Sequence, residues 1–243
     1  MDNDSLSDVV RDRLYSGYAS THAGVADGRS TALVFRRDIA PLLPDRRDIR
    51  LLDIGCGQGH LVQAVRQAGY LDVHGVDISS EQVAQAHAGG LHAEVQQGDF
   101  RDVLGRAAGT LDVVLATDVL EHLTRNEVVA TMDLIRMSLK PTGMFVARVP
   151  NAGSPFGGQI RYGDLTHESW FTVRSLRQLT QVTGFRDLVV VPCKPTRHGA
   201  RSTLRAAVWA VASTVMKLAL AAETGVVRGH IVTQNMTFRA MAR

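Results

Sequence analysis

The stretch Leu51–Leu61, Leu-Leu-Asp-Ile-Gly-Cys-Gly-Gln-Gly-His-Leu, constrains this chain more than any other. A short, mostly apolar run from Leu51 to Ile54 ends in glycines, and Leu61, Val62 and Val65 then recur at helical spacing. That pattern is a strand, a tight turn and a helix. Gly55, Gly57 and Gly59 give the turn backbone angles that side chains forbid, and leave room for a ligand against the helix N-terminus. Asp53 lies just before the turn, where its carboxylate can accept from a bound donor.

The spacing separates two cofactor classes. A dinucleotide fingerprint requires G-x-G-x-x-G, and here the third glycine is displaced, with His at position 60. The pattern is Asp-x-Gly-x-Gly-x-Gly. A second strand, Val73–Ile78, ends in Asp77, which follows Gly55 by 22 residues. That is close to the roughly 20-residue offset at which a doubly wound nucleotide fold places a carboxylate on ribose hydroxyls. Ser79-Ser80-Glu81-Gln82 supplies a capping box for the next helix, which leaves Asp77 for a ligand. Gly98-Asp99-Phe100 follows the third strand, Ala93–Gln97.

With these three signals in order, the chain resembles the class I S-adenosylmethionine-dependent methyltransferases. The resemblance implies an α/β fold, a doubly wound, seven-stranded, mostly parallel sheet of Rossmann-like methyltransferase type. Its last strand is antiparallel and is preceded by a helical insertion. It also implies S-adenosyl-L-methionine as cofactor, held by Asp53, Gly55, Gly57, Gly59, Asp77, Ile78, Asp99, Phe100 and Thr117, with Asp99 on the adenine amino group and Phe100 beside the ring.

Length and composition set the outer bounds. The 243 residues, 45% of them hydrophobic, suit one methyltransferase domain over 30–243 behind an N-terminal segment, 1–29. Tyr15, Tyr18 and His22 make that segment a candidate lid, with Tyr18 reaching cofactor or acceptor; a packed leader is the plainer alternative. Cys56 and Cys193 have neither zinc nor redox spacing. No signal peptide is recognisable and no apolar run reaches membrane-spanning length, so a soluble, cytoplasmic protein is expected. The excess of Arg, with only Lys140, Lys194 and Lys217 lysine among 27 Lys and Arg, suits a GC-rich bacterial genome. The net charge of +3 is uneven, with eight basic residues and one acid, Glu223, from Lys194 onward. Such a face suits phosphate, anionic lipid or an acidic glycan, or is simply solvated; no aromatic-interleaved basic stretch suggests nucleic acid.

The fourth strand, Leu111–Thr117, opens into Asp118-Val-Leu-Glu-His, and Thr-His167-Glu follows much later. If Asp118 begins a helix, it shares one side with Glu121 and His122 at the carboxyl ends of the strands. Two readings stand. Asp118, Glu121, His122 and His167 can hold Mg²⁺ or Mn²⁺. Alternatively Asp118 caps a helix with Glu121 as its capping-box partner. The cluster resembles the metal site of small-RNA 3′-terminal 2′-O-methyltransferases, and a related acidic cluster occurs in ubiquinone-type O-methyltransferases. His167 is the first candidate base and His122 the second, because histidine titrates nearest neutral pH.

A helix over 124–139 and a fifth strand, Met144–Val149, precede a glycine-rich stretch with Gln159, Arg161 and Tyr162. Residues 152–170 are the candidate acceptor loop. A capped helix starts at Thr172, and a helical insertion over 201–224 separates strands Leu188–Val191 and His230–Met241. That insertion can roof the acceptor, form a homodimer contact, rest on a membrane, or merely pack. The Asn-x-x-Ser-Pro-Phe-Gly and Arg-Tyr-Gly-Asp-Leu-Thr-His-Glu stretches resemble bacterial methyltransferases of surface-polysaccharide pathways. The expected activity is therefore O-methylation of a sugar hydroxyl in a glycan or glycolipid. A quinone-type or RNA-ribose O-methyltransferase, an oxidoreductase and a non-catalytic binding protein are the alternatives.

Overall fold

The computed structural model describes residues 28–197 and 199–242. Tyr15, Tyr18 and His22, and hence the candidate lid, lie outside the described residues.

Helix α1, Gly28–Val34, runs on as a π turn, Phe35–Ile39, and a 3-10 turn, Ala40–Leu42. Pro41, which has no N–H, sits in the first turn of that last piece. Then follow β1 (Arg50–Ile54), α2 (His60–Gln67), β2 (Asp72–Asp77), α3 (Ser80–Ala88), β3 (Val95–Gln97), α4 (Phe100–Arg106) and β4 (Leu111–Thr117). The second half comprises α5 (Arg125–Ser138), β5 (Leu139–Pro150), α6 (Gly157–Arg161), α7 (Val173–Val182), β6 (Arg186–Pro192), α8 (Ala200–Thr224) and β7 (Asn235–Met241).

The strands form one seven-stranded sheet in the order β3-β2-β1-β4-β5-β7-β6. Only β7 runs antiparallel to its neighbours, as the sequence implied. Strand order reverses between β1 and β4, and in open α/β sheets the ligand crevice lies beyond the carboxyl ends of the strands at such a point. The glycine turn and Asp118 both sit there.

Each sheet face carries its own apolar layer. One joins Ile54, Val114, Phe145 and Phe238 to α5 and α7 through Met132, Ile135 and Leu176. The other joins Leu51, Val113 and Val146 to Phe35, Val62, Val65 and Tyr70. Every residue of β4 before Thr117 is buried, because both faces are covered. Asp112 is the polar member of that strand, and it accepts from Arg46 (2.5 Å), Lys140 (2.7 Å) and the Arg50 amide (2.9 Å). The clamp ties the starts of β1 and β5 to β4.

Strand β5 begins earlier than the sequence suggested. Leu139 already pairs with Leu111, and the register then shifts so that Met144 meets Val113. Pro141 and Gly143 fall in the shifted segment and do not end the strand. Helix α8 is the other departure. It is long and apolar enough to cross a membrane by length and composition, with a mean hydropathy of 1.4 over an 18-residue window. The sequence reading weighed only the uncharged run between Arg205 and Lys217, and so saw no span of that length.

Candidate active site

The glycine turn forms as its sequence demands. Gly55 and Gly59 have φ of +64° and +73°, and a Cβ on either would come within 2.6 Å of Val119 and 2.5 Å of Leu91, respectively. Both positions are closed to other residues by conformation and by space. Gly57 has a different task, because its amide donates to Asp77 Oδ2 at 2.7 Å. Asp77 Oδ1 accepts from the Ser79 amide at 2.9 Å, while the Ser79 side chain caps α3 at the Gln82 amide. Asp77 thus staples the turn to the end of β2 as well as facing the crevice.

Asp53 is buried, and burial, followed by the charge of Asp77, holds its carboxyl well above the usual carboxylate range. Asp77 is raised by burial too, against the two amides that lower it. A cationic ligand group between them would relieve both. Beside them Gln82 Oε1 is buried with no hydrogen-bond partner among the described residues. Ile78 is exposed at the end of β2, an apolar edge on the rim of the crevice. Asp99 caps α4, with Oδ1 accepting from the Arg101 amide at 2.8 Å, and Phe100 packs partly against the core. Thr117 is half-buried at the end of β4. Burial pushes the Cys56 thiol up and the Cys193 thiol up to about 12, so neither supplies a thiolate.

Beyond β4 the chain does not begin a helix. Asp118 takes a left-handed φ of 56°, its amide donates to the Arg148 carbonyl at 3.1 Å, and a single 3-10 turn, Leu120–His122, follows. The Asp118 carboxylate pairs with Arg148 at 3.0 Å. This corrects one sequence reading of Asp118, since it does not cap a helix; of the expected metal set, it is the member that pairs with Arg148 and lies outside the group of three that converges. Glu121 likewise is no capping partner; that role falls to Glu127, which closes a capping box with Thr124.

Glu121, His122 and His167 do converge, their nearest ligand atoms all lying within 4.8 Å of one another. Backbone bonds bring the distant segments together: the Glu168 and Ser169 amides donate to the Glu121 carbonyl at 2.7 and 2.9 Å. The Ser169 hydroxyl donates to the Leu123 carbonyl at 2.6 Å. The histidine rings meet edge to face with centroids 4.8 Å apart.

Their tautomers follow from their neighbours. The Thr166 hydroxyl donates to Asp164 Oδ1 at 2.6 Å, so it must accept from His122 Nδ1–H at 2.8 Å. His167 Nδ1–H donates to the Ile160 carbonyl at 3.1 Å. Both rings therefore carry their lone pair on Nε2. Burial, then the neighbouring His167, pushes His122 down to about 4, which keeps it neutral at neutral pH. Glu121 is raised well above the usual range by burial and then by Asp118, and its Oε2 has no hydrogen-bond partner among the described residues.

The candidate acceptor residues lie close by. Gln159 and Arg161 are on α6, a short helix inside the stretch that the sequence left as a loop, and exposed Tyr162 follows it. The Arg161 guanidinium stacks on Trp170 at 4.0 Å. Asn151 anchors the segment: its side-chain amide donates to the Ile231 and Thr233 carbonyls, and its Oδ1 accepts from the Gly153 amide. Thr166, Asp164 and Arg148 were not singled out from sequence. Asp-Leu-Thr is an Asx-turn pattern that pointed to the first two, with the Thr166 amide on Asp164 Oδ1 at 2.8 Å.

A doubly wound sheet with a glycine turn and an acid ending β2 that accepts from it is the framework of a nucleoside-binding fold. Residues 29–190 match the family model described as a methyltransferase domain, and the chain belongs to that family. In fold it matches S-adenosylmethionine-dependent methyltransferases of known structure.

Among curated relatives, a ubiquinone biosynthesis O-methyltransferase of Cereibacter sphaeroides is 37% identical over 127 residues, 49% of this chain and 48% of the relative. The 27-O-demethylrifamycin SV methyltransferase of Amycolatopsis mediterranei is 31% identical over 125 residues, 49% of this chain and 45% of the relative. The chain thus spans about half the length of the curated relatives it matches. In fold it is similar to a SAM-dependent methyltransferase from Archaeoglobus fulgidus, with a TM-score of 0.68 and 20% identity over 92% of this chain and 98% of the other. Neither curated relative is named for a glycan acceptor, so the expected link to polysaccharide pathways has no support from them.

Proposed function

We propose that the protein is an O-methyltransferase acting on a hydroxyl of a small, quinone-type aromatic acceptor. The observation that carries this reading is the convergence of His167, His122 and Glu121 beside the cofactor crevice. The two relatives named for ubiquinone and rifamycin O-methylation support it over a sugar acceptor.

The chemistry needs alignment and one proton transfer. His167 Nε2 takes the hydroxyl proton while Nδ1–H stays on the Ile160 carbonyl, which fixes the ring. S-adenosylmethionine held at the glycine turn and Asp77 would supply the activated methyl group for that oxygen, with its sulfur as the leaving atom. His122, neutral and held by Thr166, packs against the base without competing for its proton.

The buried Glu121 Oε2 favours a second reading of the same cluster. Glu121, His122 and His167 offer one carboxylate oxygen and two lone-pair nitrogens, a donor set that fits Mg²⁺ or Mn²⁺. Bound there, such an ion would supply positive charge that acidifies the acceptor hydroxyl.

Transfer of labelled methyl from S-adenosylmethionine to a dihydroxybenzene, a methyl glycoside and a ribose-terminated RNA tests the acceptor class. Label in the dihydroxybenzene alone is expected, and label in the sugar or RNA alone would overturn the reading. Mn²⁺ titrated calorimetrically into the wild type and Glu121→Gln decides the second reading. One site per chain that the variant loses supports it, and silence in the wild type removes it and leaves His167 as a metal-free base.

A further inference from the structure

Helix α8 is laid on the domain along a narrow seam. Ser202 and Ala206 are buried, Trp209, Ser213 and Met216 are half-buried, and Trp209 approaches Phe156 with ring centroids 6.3 Å apart. On the opposite side a second apolar line, Leu204, Val208, Val211, Val215 and Leu218, is 61–68% exposed. The spacing alternates four and three residues, so the line runs nearly parallel to the axis for about 21 Å. A soluble helix normally presents one such stripe, to its core.

The charges around this second stripe have one sign. Arg201 and Arg205 lie at its amino end and Arg228 just after the helix, against Glu223 alone, while Lys194, Arg197 and Lys217 turn to the inner side. Among the described residues none of these cations forms an ion pair. The inner side of α8 overhangs a cleft of about 670 Å³ that Arg36, Lys194, Arg197 and Lys217 also line.

We propose that α8 is a peripheral membrane-docking helix that lies in the plane of an anionic bilayer surface, with the stripe from Leu204 to Leu218 facing the acyl region and Arg201, Arg205 and Arg228 on the lipid phosphates. Charge selects this occupant over a second copy of the chain. Around the stripe Arg201, Arg205 and Arg228 outnumber Glu223, so a second, equally basic copy carries like net charge to meet it. Anionic headgroups match them, and an amphipathic helix with basic flanks and an aliphatic face has the form of an interfacial anchor. The inner seam selects lying over crossing, since a crossing helix would have to strip Trp209 and Ala206 from the domain. Because Trp209 packs beside Phe156 of the candidate acceptor segment, docking would bring that segment toward the surface, an inference that rests on the function proposed above.

Sedimentation of the full chain with phosphatidylcholine vesicles, alone or with one-quarter phosphatidylglycerol, at low and high salt tests the proposal. The wild type is expected to pellet with the anionic vesicles at low salt, to bind neutral vesicles at least about tenfold less, and to be released by high salt. The variant with Val208→Glu, Val211→Glu and Val215→Glu is expected to stay in the supernatant, while its S-adenosylhomocysteine affinity stays at the wild-type value because no changed residue touches the crevice. Equal binding to both vesicles would overturn the proposal, as would binding that survives high salt and alkaline carbonate, the mark of a crossing helix. A wild-type dimer that ignores vesicles and falls apart in the triple variant would assign the stripe to a second copy instead.

Discussion

Asp77→Ala is expected to lower S-adenosylhomocysteine affinity by about a hundredfold or more, measured by calorimetry on a variant whose circular dichroism and melting show it folded. Two effects add. The carboxylate is the charged acceptor expected for the ribose hydroxyls, and a hydrogen bond to a charged group contributes about 1.5–3 kcal/mol. It is also the staple of the glycine turn through the Gly57 amide, so its loss frees the loop that shapes the crevice. If the staple, also a hydrogen bond to the charged carboxylate, contributes the same lower value of about 1.5 kcal/mol, the sum of about 3 kcal/mol reaches the ~2.8 kcal/mol of a hundredfold loss at about 1.4 kcal/mol per factor of ten. Asp77→Asn keeps one acceptor oxygen and should fall between the wild type and alanine. An affinity unchanged in Asp77→Ala would mean that the acid serves the loop of the empty protein and no ligand.

His167→Ala is expected to lower kcat by about 10²–10⁴, the usual contribution of a positioned general base, while S-adenosylhomocysteine affinity stays as in the wild type. The split follows from the geometry: His167 belongs to the segment that closes over the 3-10 turn and takes no part in the glycine turn. His122→Asn should reduce kcat less, because His122 stays neutral and only packs against the base. If kcat is untouched in His167→Ala, the ring has no part in proton transfer.

How far the sequence reached depends on whether local chemistry or distant pairing decides a feature. The strand-turn-helix at Leu51–Leu61 was legible because each glycine answers a local need, and the structure returns positive φ at all three. Thr172 was readable as a cap for the same reason, as its hydroxyl accepts from the Ser175 amide at 3.1 Å. Asp118 was misread because helical spacing presumes helix. The Arg148 carbonyl, on the neighbouring strand β5, takes the Asp118 amide and turns the chain left-handed, and nothing within the motif announces that. The relay from Asp164 through Thr166 to His122 was hidden for a related reason, since it joins residues 44 apart whose meeting depends on backbone bonds to Glu121. The outer stripe of α8 was present in the sequence as Leu and Val at four-and-three spacing. Only the fold shows that its opposite face already has a partner and this one does not.

The account rests on a glycine turn that takes S-adenosylmethionine and not a dinucleotide. The most direct measurement is a pair of calorimetric titrations into the wild-type protein, one with S-adenosylhomocysteine and one with NAD. One saturable site for S-adenosylhomocysteine and no heat from NAD is the predicted result. Binding of NAD with no binding of S-adenosylhomocysteine would contradict it, and would make the displaced third glycine at position 59 a variant of the dinucleotide turn.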